Sequence, residues 1–211
     1  SESILLNERI FQELLNEEII QLILQKSCIR DRLVEKFLTK IRKEILFSLK
    51  EEKKNDLDKY CNFIISLAEQ SFLNEYLFFQ SEQEILLIRD LEKKIIKNTE
   101  VSEIEIAILA SYMPLLASEG IKNKLSNYTS KNFLFEDLIK MQIREPIEEL
   151  KYKNSIKSIK PITDKVSKKV RDQYEENPYP RWRYANKSVT ANFILHLNDD
   201  IRPNNIKFNN K

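Results

Sequence analysis

General acid–base, nucleophilic and metal chemistry each need a few particular side chains held together, and this sequence supplies few of them. Its one histidine, His196, lies in an apolar-flanked stretch near the C-terminal end and reads as a packed or surface residue rather than a general base. Glu17/Glu18 and Glu148/Glu149 fall at helical surface spacings with lysines nearby, the pattern of solvated pairs rather than acid/base dyads. A di-iron site built on helices would want Glu-x-x-His motifs, and none is present. Cys28 and Cys61 sit in apolar helical patterns without CxxC spacing, which argues against a disulfide framework and a zinc site. The aromatic run Phe72, Tyr76, Phe78 and Phe79 coincides with the densest apolar segment, so it reads as core before it reads as a groove.

One stretch stands apart, Gln173-Tyr174-Glu175-Glu176-Asn177-Pro178-Tyr179-Pro180-Arg181-Trp182. Two prolines separated by one residue stiffen the chain into an extended path. Tyr179 and Trp182 then offer large apolar area with a polar handle, and Arg181 and Arg183 can pair with acids or stack on rings. Such a strap either docks back on its own domain or anchors a partner, and the residues alone leave both open.

The elements that must position these residues are helices. The chain has a single glycine, Gly120, in 211 residues, where average usage of ~7% would give roughly 15. Several β-hairpins, a P-loop or a dinucleotide fingerprint would each need more. Asparagine can take the left-handed position at a helix end, and Asn55, Asn98, Asn123 and Asn154 lie between periodic segments. Charge is 32% of the chain but nearly cancels, at +2, which gives no support for nucleic acid or an anionic membrane as the main partner. No run approaches the length of an uncharged membrane span and the N-terminus carries no signal pattern, so the expected setting is cytoplasmic.

Apolar periodicity predicts helices over 2–26 (broken near Asn16), 29–49, 56–79, 81–96 and 104–113. Ser81 with Glu84, and Ser102 with Glu105, have capping-box spacing. Residues 117–132 read as loop with a short helix, and 133–152 as a helix that Pro146 kinks or divides. A linker is placed at Lys153–Pro161, then a helix over 164–176 capped by Thr163, then a short helix from Ser188 to Leu197. The expectation is all-α: an irregular multi-helix bundle over 1–152, followed by 153–211 carrying the linker, the 164–176 helix and the Pro/aromatic strap.

The stretch Val166 to Trp182, VSKKVRDQYEENPYPRW, resembles the junction that precedes the catalytic domain in bacterial tetratricopeptide-associated methyltransferases dependent on S-adenosylmethionine. Further pieces, DRLVEKFLTKIRKEIL (31–46), FLNEYLF (72–78), AILASYMPLL (107–116) and LIKMQIREP (138–146), resemble that family's helical region in the same order, covering about residues 30–184. In the family a strand and a glycine-rich cofactor turn follow the junction. Here no glycine follows Gly120, and no tetratricopeptide-type repeat is visible. The resemblance therefore implies a non-catalytic region, with no cofactor of its own, beside an absent methyltransferase domain that would bind S-adenosylmethionine. It implies that Tyr174, Tyr179 and Trp182 pack at the mouth of that domain's cofactor pocket. The methyl acceptor, a protein substrate included, stays open. The alternative is a stand-alone helical module for partner binding or self-association.

Overall fold

Asp31 sets the start of the longest helix. Its carboxylate accepts from the backbone N–H groups of Leu33 at 2.9 Å and Val34 at 3.0 Å, satisfying two donors that have no intrahelical partner. The computed structural model describes residues 9–51, 57–156 and 163–176. In order these form α1 (Arg9–Asn16), α2 (Glu18–Lys26), α3 (Arg32–Lys50), α4 (Cys61–Leu73), α5 (Glu82–Lys97) and α6 (Glu103–Ala110). A 3-10 turn (Leu115–Ala117), α7 (Glu119–Leu125), α8 (Phe133–Ile139), a π-helical stretch (Lys140–Arg144), α9 (Glu145–Ser155) and α10 (Lys165–Glu176) follow. Every regular element among the described residues is helical, as the glycine count demands. The strap beyond Glu176, Asn55, residues 157–161 of the expected linker, His196 and the short helix expected from Ser188 lie outside them.

The core centres on α4. A helix apolar on most of its circumference can satisfy itself only by being surrounded, and every residue from Phe63 to Leu73 is buried. Helices α1, α2, α6 and α8 pack against it, while α5 bridges α3, α6 and α7. No helix among the described residues is long and apolar enough to cross a membrane.

Local signals placed some elements and misplaced others. Ser81 and Glu84 form the expected capping box at α5. The same pattern at Ser102 and Glu105 does not: the Ser102 hydroxyl is buried without a partner, and Glu105 instead accepts from Lys94 at 3.1 Å. The helix expected to reach residue 79 stops at Leu73. Glu75 and Tyr76 adopt left-handed backbone, with φ of 57° and 59°, and the Tyr76 N–H closes on the Ser71 carbonyl at 2.8 Å. That reversal turns Phe78 into the core and leaves Leu77 and Phe79 outside. Those left-handed positions are not asparagines: Asn98 ends α5 in extended backbone, while Asn123 and Asn154 lie inside helices.

Gly120 has no positive φ either. It sits inside α7, where a Cβ would come within 2.7 Å of Ile96 Cδ1, so its use is the close approach of α7 to α5. Pro146 divides the helix over 133–152 as expected. The π-helical stretch directly before it absorbs the residue that cannot donate, and Pro146 then sits in the first turn of α9. Helix α9 continues through Ser155, so the first residues of the expected linker are helical. Asp164, not Thr163, caps α10, accepting from the Ser167 N–H at 2.8 Å.

Candidate functional site

Val166, Val170 and Tyr174 recur every fourth residue along α10 and therefore share one face. They are 69%, 45% and 65% exposed, and no described side chain of α10 is buried. Lys165, Lys168, Lys169 and Arg171 flank this stripe, with Arg171 tied to its neighbour Asp172 at 2.5 Å. Of the three aromatic residues expected at a cofactor mouth, Tyr174 is thus on an exposed helix face, while Tyr179 and Trp182 lie outside the described residues. The surface has the make-up of a docking face: an apolar stripe, a polar aromatic tip and a basic margin.

The bundle's own polar chemistry is internal, and periodicity gave no sign of it. Arg42 is 1% exposed. Its guanidinium donates to the carbonyls of Ser111 at 2.9 Å, Phe79 at 2.9 Å and Phe78 at 3.3 Å. It lies 4.0 Å from the centre of the Tyr112 ring. The Tyr112 hydroxyl donates to Glu84 at 2.9 Å, and the other Glu84 oxygen accepts from the Ser81 N–H and hydroxyl. Burial lowers the Arg42 pKa, opposed by Tyr112 and Glu84. The Tyr112 phenol is pushed well above its ordinary value, chiefly by burial. A sealed phenol of that kind donates a hydrogen bond and does no acid–base work at neutral pH. Gln142 plays a similar part from the π-helical stretch. Its oxygen accepts from Tyr76 and Leu115, and its nitrogen donates to the Ala68 and Ala110 carbonyls. These groups join elements that the sequence keeps far apart.

A surface cluster ties α6 to α8. Glu103 accepts from the hydroxyls of Tyr128 at 2.9 Å and Ser130 at 2.5 Å. The Tyr128 phenol is pushed up to about 12 by burial and by that bond. Glu136 accepts from the Ser130 N–H and pairs with Arg144, which together hold its carboxyl below the ordinary value.

One cleft, of about 420 Å³, opens where the end of α1, α2 and the start of α4 meet. Asn16, Gln21, Gln25, Asn62 and Cys61 line it with charged neighbours. Cys61 and Cys28 are both thiols outside any disulfide among the described residues. Burial, then repulsion from Glu103 and Asp58, raises the Cys61 pKa, which is the reverse of what a nucleophilic thiolate needs. Glu17, Glu18, Glu148 and Glu149 are all exposed. Among the described residues no cluster of three or more His, Cys, Asp or Glu is placed to hold a metal ion.

Compared with known protein families, curated proteins and solved structures, the chain matches none.

Proposed function

We propose that this chain is a non-catalytic helical accessory region that works beside a methyltransferase domain dependent on S-adenosylmethionine, with α10 and the strap that follows as the joining element. The observation that carries the reading is α10 itself. It holds the first half of the junction motif, VSKKVRDQYEE, and presents a Val–Val–Tyr stripe with none of its described residues buried. Isolated helices of this length are marginal in water, so the stripe has most to gain from a partner that covers it. The partner that fits offers an apolar groove with an acidic margin. Tyr174 stands at the C-terminal end of the stripe, two residues before the helix ends at Glu176. With Tyr179 and Trp182 it would close the cofactor pocket against water.

The test uses this chain joined to its methyltransferase domain. Replacing Val170 by Asp and Tyr174 by Ala is expected to lower kcat/KM by about ten-fold or more, the equivalent of roughly 1.4 kcal/mol. Cofactor affinity is expected to fall with it, by titration calorimetry. Turnover and affinity unchanged from the parent would discard the reading. A chain that self-associates through the same stripe, and returns to monomer mass in the Val170→Asp variant, would instead mark a stand-alone interaction module.

A further inference from the structure

The cleft between α1, α2 and α4 is lined mainly by polar side chains, with Leu22 and Leu134 as its apolar part. Gln21 and Gln25 are only 8% and 4% exposed, yet both line it. Three of the four carboxamides in the lining, all but Asn62, commit their nitrogens elsewhere. Asn16 Nδ2 donates to the Gln12 carbonyl at 2.9 Å and Gln21 Nε2 to the Leu15 carbonyl at 3.1 Å. Gln25 Nε2 donates to Ser66 Oγ at 2.8 Å, and Ser66 in turn donates to the Asn62 carbonyl, so its oxygen is the acceptor in that pair. The three amides are thereby fixed in orientation, and their carbonyl oxygens accept no hydrogen bond among the described residues. Carboxylates of Glu18 and Asp58 complete the lining. Lys59 contributes its cation to the rim, where its ammonium lies 5.1 Å from the centre of the Tyr60 ring. The raised pKa of the Cys61 thiol, caused partly by Glu103 and Asp58, reports a negative field at the same wall.

We propose that this cleft binds a small organic cation rich in N–H donors, an alkylammonium or guanidinium group. A lining of fixed acceptors with two carboxylates rewards donors and positive charge and repels anions. The cleft's volume lies within the range of small-molecule sites, roughly 300–1,000 Å³. The ligand comes either as a free polyamine or as a lysine or arginine side chain of a peptide.

Because Cys61 stands in the wall, its labelling rate reads occupancy directly. In the full chain carrying Cys28→Ser, spermidine and a short arginine-containing peptide are titrated separately while maleimide reacts with Cys61. Saturable slowing of the labelling by either probe is expected, and calorimetry on the same samples gives the affinity. Whichever probe binds more tightly identifies the source. Glu18→Gln with Asp58→Asn, both at exposed positions, is expected to weaken binding about ten-fold, consistent with losing two partly screened ion pairs. An uncharged diol of similar length should leave the rate unchanged. No saturable effect from either cation at millimolar concentration, or equal affinity in the double variant, overturns the proposal. Equal protection by the diol overturns it too, since it would show occupancy without charge.

Discussion

Helices α4 and α10 have nearly the same length, 13 and 12 residues, and opposite relations to the rest of the molecule. Along α4 every position from Phe63 onward is buried, and several of those positions are polar: Ser66, Glu69, Gln70 and Ser71. Gln70 alone donates to the Leu24 and Ser27 carbonyls and accepts from the Ile29 N–H, closing the end of α2 from the side. Along α10 the ties described include an Asp164 cap and an Arg171–Asp172 pair, both local. The difference teaches where the helical state comes from in each case. Tertiary packing holds α4 in place, whereas α10, with no described side chain buried, draws on propensity and local bonds. Substitutions in the two regions should therefore have unequal consequences.

The largest expected effect lies in the buried network that braces the bundle. Arg42→Met keeps volume but leaves the carbonyls of Ser111, Phe78 and Phe79 without their donor and Glu84 without its nearby positive charge. The expected loss is on the order of 3 kcal/mol, read from urea unfolding of the whole chain. Arg42→Lys should recover little of it, because one ammonium on a shorter reach cannot replace a planar fork serving three carbonyls. A loss below about 1 kcal/mol in Arg42→Met would mean that the network accompanies the packing without supporting it.

How much of this was legible depends on distance along the chain. Asp31, the Ser81–Glu84 box and Pro146 act on residues within one turn, and each did what its type and spacing imply. Ser102 and Glu105 have the same pattern as Ser81 and Glu84 but a different outcome, because Lys94 arrives from α5 to take the carboxylate. Arg42 reads as surface in Ile-Arg-Lys-Glu, and nothing within several residues tells that Ser111 and Phe79 will meet it. The left-handed turn at Glu75 and Tyr76 had no glycine or proline to announce it. The candidate cleft was hidden for the same reason, since Gln25 and Ser66 are 41 residues apart. The helix over 164–176 was the legible part of the candidate docking face, being a property of one segment, whereas the exposure of its Val166, Val170 and Tyr174 was not.

A smaller effect is expected where the α8 end meets the surface. Glu136 has a folded pKa held below its ordinary value of 4.5, so its contribution is present at neutral pH and is lost as pH falls through the depressed folded value. Glu136→Gln removes that contribution, and the acid limb of a stability–pH profile should become shallower. The side chains of Arg144 and Glu136 are 34% and 28% exposed, so screening limits the loss at neutral pH to about 0.5–1 kcal/mol. An unchanged acid limb would show that the Ser130 and Arg144 bonds persist equally in the unfolded ensemble.

The smallest stability effect is expected in α10, and it is the one that separates the two regions most sharply. Val170→Asp puts a charge into the middle of the apolar stripe, a change that at a buried position such as Ile65 would rank among the most damaging. Because nothing described on α10 is buried, the midpoint of bundle unfolding should move by less than about 0.5 kcal/mol. Hydrogen exchange gives the matching local reading. Amides of α4 should exchange only through global unfolding, while those of α10 exchange through local fraying at a small fraction of that free energy. Adding the methyltransferase domain should protect α10 in the parent and not in Val170→Asp. Protection of α10 equal to that of α4 in the chain alone would show that the helix already has its partner, and the distinction between the two regions would fall.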